Sequence, residues 1–301
     1  MTYLKPSFYG ALGLLSLSAC SGEQDAKEAH AKKPNVLLIL ADDMGWSDLG
    51  CYGSTIETPH LDSLAGEGIR FTQFYNTAKS FPSRACLLTG LYAHQSGMNT
   101  APEDFEAGVT IAQVLKKEGY RTLMAGKHHG TDNPVDFGFD RYYGLRDGAC
   151  NFFNPGDQRQ GEGPPAHKTW AYPRTWCIDD SVVAPYTPKQ EDFYTTDYFT
   201  HYALDYLQEY EDETKSFFLY LSYTAPHAPL QAWPGDIKEY EGQFMKSYEA
   251  QRKARYKRQQ EMGLIDERFP LSEGNHYAWD TLTQREKELE ARRMAVYAAM
   301  I

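Results

Sequence analysis

Apolar residues in this chain gather in short unbroken runs, with stretches of helical spacing between them. Residues 35–41, centred on Val36-Leu37-Leu38-Ile39-Leu40, have no polar face. Such a run predicts a strand buried on both sides of a parallel sheet. Residues 69–75, 120–125 and 217–223 predict further strands. Between the runs, Leu61, Leu64 and Ala65 share one helical face, with Thr58-Pro59 before them as cap and first turn and Gly68 after them. Residues 82–89 predict a short helix that Gly90 closes, and 110–117 a helix with Ile111, Val114 and Leu115 turned inward. Phe199, Tyr202, Ala203, Tyr206, Leu207 and Tyr210 recur at i, i+3, i+4 and i+7, which predicts an amphipathic helix over 196–210. A Lys- and Arg-rich helix around 251–260 should be solvated. Residues 131–192, rich in Gly, Pro, Asn and Asp, read as long loops over one face of the molecule.

Strands alternating with helices predict an α/β fold, a mostly parallel sheet flanked by helices. Ligands of such sheets bind beyond the carboxyl ends of the strands. Asp42 and Asp43, Ser80, Lys127 and His129, and His227 each follow a predicted strand, so they can converge on one edge. No internal repeat interrupts the alternation.

The first residues follow a different pattern. Lys5 precedes a short apolar run over 11–17, which ends in Leu17-Ser18-Ala19-Cys20. The run is too short to span a bilayer as a mature helix and reads as an export signal. Small residues immediately before Cys20 favour a lipobox, with cleavage after residue 19 and acylation of Cys20, over an ordinary signal peptide. The expected organisation is therefore a leader over 1–19, a polar tether over 20–33 and a folded domain from 34 to 301. The expected location is an exported bacterial lipoprotein, in the periplasm or on the outer membrane, held to the membrane by its lipid anchor.

Composition narrows the function. The net charge of −11, with no basic patch, argues against a nucleic-acid partner. It also means that any anion site must be locally positive. Aromatic residues make up 14% of the chain, 22 of them Tyr, and are expected mainly in the core. Beyond Cys20, Cys51, Cys86, Cys150 and Cys177 show no zinc-like spacing; paired and free states both stay open.

One segment decides the chemistry. Ser80-Phe81-Pro82-Ser83-Arg84, followed by Leu88-Thr89-Gly90, resembles the signature of the formylglycine sulfatases in its serine-type form. Asp42-Asp43-Met44-Gly45, Thr58-Pro59-His60-Leu61-Asp62, Gly126-Lys127-His128-His129 and Thr224-Ala225-Pro226-His227 resemble the other family segments, in the family's order. The resemblance runs from about residue 34 to the end. His128 stands where the family usually has Trp, and one residue before Gly130 is missing; His129 keeps the position two after the lysine. Taken alone, the Ser80 segment is also a plain capped helix, and Asp42-Asp43 a strand-end turn.

The resemblance implies a sulfatase acting on aryl sulfates or sulfated glycans. It implies that a sulfatase-maturating enzyme oxidises Ser80 to formylglycine. One oxygen of the hydrated aldehyde would attack sulfur, and the other would then expel sulfate, leaving no stable enzyme ester. Asp42, Asp43 and the residue-80 oxygen would hold Ca²⁺. Arg84 would bond the hydrated aldehyde or its sulfate, Lys127 would bind sulfate oxygens, His129 would steer the proton lost in the elimination, and His227 would be the general acid. His94 is open between a supporting and a structural role, while His60, Asp62 and Trp46 look structural. Asn133, Asp136, Arg146, Asp147, Asn151 and Asn154 could touch sugar hydroxyls. Two other readings remain, a phosphodiesterase or phosphonate monoester hydrolase of the same superfamily, and a non-catalytic glycan-binding lipoprotein.

The chain closes in an apolar helical stretch that reaches Ile301 without a cap. It is therefore expected to be the N-terminal part of the family's catalytic domain and inactive alone. Val296, Tyr297, Met300 and Ile301 are expected to lack the strands they should pack on.

Overall fold

The strands β1 (Val36–Leu40), β2 (Arg121–Gly126), β3 (Arg141–Leu145), β4 (Trp176–Ile178), β5 (Ser181–Val183) and β6 (Phe217–Ser222) form one sheet, in the order β1-β6-β2-β3-β4-β5. The structure is a computed structural model and describes residues 33–102, 105, 107–156, 174–276 and 278–301. Cys20, its leader and most of the tether lie outside the described residues. β1, β6, β2 and β3 pair in parallel, while β4 and β5 add an antiparallel edge.

Helices cover both faces. On one, α4 (Thr195–Glu209) lies over β2, β3 and β6 and buries Phe199, Ala203 and Tyr206 against Leu123, Tyr143 and Leu219. The aromatic residues concentrate there: the Tyr143 and Trp176 rings meet edge to face at 5.6 Å, and Trp176 stacks on Tyr186 at 4.7 Å. On the other face, α2 (Ser80–Thr89) and α3 (Ile111–Lys117) set Leu88 and Ala112 against Met124, Tyr142, Phe218 and Tyr220. α3 opens with a capping box, in which Thr110 Oγ1 accepts from Gln113 N and Thr110 N donates to Gln113 Oε1. Away from the sheet, α7 (Gln284–Met300) packs beside α5 (Pro234–Glu239), and α6 (Tyr248–Glu261) and α1 (Pro59–Glu67) flank the first loops.

Several expectations need correction. Residues 69–75 form no strand. Ile69, Phe71, Phe74 and Tyr75 are exposed, and no described strand pairs with them. β1 is a strand, but not one buried on both faces: Leu37 is 53% and Ile39 48% exposed. α4 covers β2, β3 and β6, and β1 is the edge strand beyond them. In α3 Ala112 and Leu115 turn to the core, as expected for Leu115, whereas Ile111 and Val114 face out. Leu61 and Leu64 of α1 are likewise exposed. The region 131–192 holds β3, β4 and β5 in addition to loops. The last helix packs on no strand among the described residues, but its apolar face is not bare: Met300 is buried, and Val296, Tyr297 and Ile301 are partly buried in a cluster with Ile237 and Phe244. Cys51, Cys86, Cys150 and Cys177 are all free thiols. No helix among the described residues is long and apolar enough to cross a membrane.

Candidate active site

The three parallel strands β1, β6 and β2 end side by side, and their exits stay bonded past the strand ends. Tyr223 N donates to Leu40 O (2.9 Å), Asp42 N to Ala225 O (2.9 Å) and Lys127 N to Ser222 O (2.7 Å). This close approach requires Gly126. Its φ is +117°, and a Cβ there would sit 1.9 Å from Ser222 O. Asp42 and Lys127 thus reach the same point from strands separated only by β6.

Ser80 enters from a different element. It is the first residue of α2, whose free N–H groups and dipole favour an anion. Ser80 Oγ donates to Asp42 Oδ1 at 3.0 Å and accepts from Arg84 Nε, one turn on, at 3.1 Å. His129 Nδ1 lies 3.2 Å from the same oxygen. Lys127 Nζ pairs with Asp42 Oδ2. Arg84 Nη2 is 3.2 Å from Asp42 Oδ1, an ion pair without a hydrogen bond, so that donor keeps spare capacity in a buried setting. His227 Nε2 stands 3.6 Å from Asp43 Oδ2 at the margin. Asp42, Ser80, Arg84, Lys127 and His129 therefore form one bonded cluster, and Asp43 and His227 pair beside it. Asp43 (φ 63°) and His129 (φ 66°) both hold the left-handed conformation, a strained backbone for a non-glycine residue.

The electrostatics favour an incoming anion. Asp42, Arg84 and Lys127 are 4%, 3% and 0% exposed, so one carboxylate faces two cations away from water. Burial alone would raise the Asp42 carboxyl, but Lys127 and Arg84 outweigh it and hold the group below its ordinary value. For Lys127, burial and the Arg84 guanidinium win over the Asp42 carboxylate and bring the ammonium down to about 8. Burial, with Lys127 and Arg84 adding to it, brings His129 down to about 3, so its ring is neutral. In a protein with a net charge of −11, two cations thus outnumber the one carboxylate in the buried cluster, with the exposed Asp43 carboxylate at its margin.

The donor set has the chemistry of a hard cation site in part. Asp42, Asp43 and Ser80 offer oxygens, whereas Ca²⁺ takes about six to eight. Among the described residues, no group of three or more His, Cys, Asp and Glu stands close enough to hold a metal.

Some residues near the cluster do other work. His128 turns its ring away to Asp132, 2.5 Å from Oδ1, so His128 and His129 part to opposite sides. Asp62 accepts from Cys51 N (2.7 Å) and Thr58 Oγ1 (3.0 Å), Trp46 meets Tyr52 edge to face at 5.3 Å, and His60 is exposed. His94 is exposed and stacks on Tyr92 at 5.9 Å. Asn133 accepts from Val135 N and donates to Asp179 O, a capping role. Ser222 was missed by sequence reasoning. Fully buried, its hydroxyl accepts from Arg84 Nη1 and donates to the backbone carbonyl Lys127 O at 2.8 Å, so it ties the Arg84 guanidinium to the strand exit that carries Lys127. A lone polar residue closing the apolar run Phe217-Phe218-Leu219-Tyr220-Leu221 was the available signal.

The chain resembles known proteins over nearly all of this architecture. It is 34% identical to an uncharacterised sulfatase of Schizosaccharomyces pombe, covering 91% of this chain and 53% of that protein. It is 32% identical to an arylsulfatase of Klebsiella aerogenes, covering 92% of this chain and 61% of the relative. A protein solved with its substrate D-glucosamine-2-N,6-O-disulfate superposes with a TM-score of 0.55 at 29% identity, covering 71% of this chain and 38% of that one. The chain spans about half the length of the curated relatives it matches. The family model described as Sulfatase matches residues 34–301, and the chain belongs to the sulfatase family.

Proposed function

We propose that the complete protein hydrolyses sulfate esters of glycans, with a nucleophile made from Ser80. The observation that carries this reading is the environment of one oxygen. Ser80 Oγ meets Asp42, Arg84 and His129 within 3.2 Å, at a helix start and beside the buried Lys127. A surface cap serine needs none of these groups. Oxidised to formylglycine by a maturating enzyme, residue 80 would supply a hydrated aldehyde, a nucleophile able to eject its own sulfate. Asp42 and Asp43 would hold Ca²⁺, which would polarise the sulfate.

The chain's own residues divide the remaining work. Arg84 bonds the residue-80 oxygen through Nε and can take a sulfate oxygen through Nη2, and Lys127 binds sulfate as a point charge. His129, neutral and beside the residue-80 oxygen, accepts a proton there. His227 stands outside the buried cluster, where an alcohol would leave, and donates the proton it needs. Glycan substrates are supported by the solved relative bound to a disulfated glucosamine. Export and acylation of Cys20, holding the protein to a membrane, are supported by the leader sequence alone.

Ser80→Ala in the full-length protein is the test, with mass spectrometry of residue 80 in the parent. Aryl sulfate turnover should disappear. Retention of more than about a tenth of kcat, a barrier change below ~1.4 kcal/mol, would sink the reading.

A further inference from the structure

We propose, building on the reading of His129 as part of the reacting site, that Gly148 is a positioning residue: its bare Cα gives the His129 imidazole the space from which it reaches Ser80. A Cβ on Gly148 would lie 2.5 Å from His129 Nε2, 2.8 Å from Cε1 and 3.0 Å from Cδ2. All three of these nearest atoms belong to one ring. Non-bonded carbon contacts are favourable at about 3.5 Å and beyond, so a methyl group there displaces the ring by about 1 Å.

The backbone of Gly148 does not call for glycine, since its φ is not among the positive values that Gly126 and eight other glycines adopt. The neighbour calls for it. His129 has little room to yield. Its Nδ1 lies 3.2 Å from Ser80 Oγ, and the Phe81 ring meets it edge on at 5.5 Å. Its N–H donates to Arg146 O at 2.9 Å. The segment 146–148 thus fixes His129 twice, through the Arg146 carbonyl on its backbone and through the empty Cβ position of Gly148 on its ring. A reacting group misplaced by about 1 Å loses on the order of a hundredfold in rate.

A double-mutant cycle in the full-length protein tests this. Gly148→Ala should lower kcat about ten- to a hundredfold with KM held within about twofold. In a His129→Ala background the ring is gone, so adding Gly148→Ala should change kcat and Tm little, less than about twofold in rate. Equal losses from Gly148→Ala in both backgrounds, or wild-type kcat in Gly148→Ala, would overturn the assignment. If Gly148→Ala alone fails to fold, the double variant decides. Recovery of the His129→Ala melting temperature supports the shared space, and continued misfolding overturns it. Wild-type turnover in His129→Ala is a separate failure, which removes the catalytic reading of His129 and the positioning role with it.

Discussion

The two ends of the β1–β6–β2 triplet each gather acids and bases, in opposite settings. At the carboxyl end, Asp42, Arg84 and Lys127 are at most 4% exposed, and one carboxylate answers two cations. At the amino end, Arg121 forks onto Glu213 and stands 3.3 Å from Asp140, which Lys116 also reaches at 2.8 Å. Those side chains are 15–47% exposed, and two cations meet two carboxylates. The Arg121 guanidinium lies over the Tyr210 ring at 4.3 Å. Balanced charge that still reaches water fastens a strand to its neighbours at less energetic consequence than a buried pair. Unbalanced charge out of water is expensive to keep, and a fold retains it where something else is meant to bind. The same residue types therefore mean different things at the two ends, and burial tells them apart.

Removing one partner at each end is the most direct way to break that comparison. Asp42→Ala leaves Lys127 and Arg84 buried without their carboxylate. It should cost about 3–5 kcal/mol of unfolding free energy, as for other buried pairs that lose one member. Urea denaturation with a chelator present measures this without a contribution from bound metal. A loss below ~1 kcal/mol would mean that water reaches the carboxyl-end cluster and that the contrast is false. Lys116→Ala at the amino end should cost only ~0.2–1 kcal/mol. That loss should shrink further as salt is raised, because Lys116 is 47% exposed. A salt-independent loss above that range would show that the amino end also works as a buried site.

The carboxyl-end site was legible in the sequence for a geometric reason. Asp42, Lys127 and His227 each follow an apolar run that is a strand, and parallel strands deliver their next residues to one edge. Ser80 was legible for a different reason, the resemblance of its segment, because the run before it is no strand. An apolar run says that its residues avoid water. It does not say which neighbours cover them. The run at 217–223 has a strand on each side and helices on both faces, whereas the equally apolar β1 lies at the sheet edge with Leu37 and Ile39 bare. Residues 69–75 have the composition of a strand without a partner among the described residues, and a strand cannot be read off composition without its pair. β4 and β5, three residues each, are too short to show a period. Ser222 and Gly148 escaped notice because they act through what they touch, a guanidinium in one case and an imidazole in the other.

The smallest expected effect sits at the amino end and depends on pH. Burial alone would raise the Asp140 carboxyl, but bonds from Lys116 and Thr122 N, with the charges of Lys116 and Arg121, hold it below its ordinary value of 3.8. A carboxyl bound more strongly as the anion in the folded state adds stability that is complete above the unfolded pKa. That stability is lost as pH falls through the folded pKa. Asp140 should therefore contribute fully at pH 5 and above, and progressively less once the pH drops below about 3.8. Asn at this position can still accept from Thr122 N but carries no charge. The difference in unfolding free energy between the parent and Asp140→Asn should be flat from about pH 7 to 5 and close as the pH falls toward about 2. Because Asp140 shares water with its partners, the gap should also narrow with added salt at pH 5. A gap that widens on acidification would mean that Asp140 is protonated in the fold at neutral pH. The balanced, solvated picture of the amino end would then be wrong.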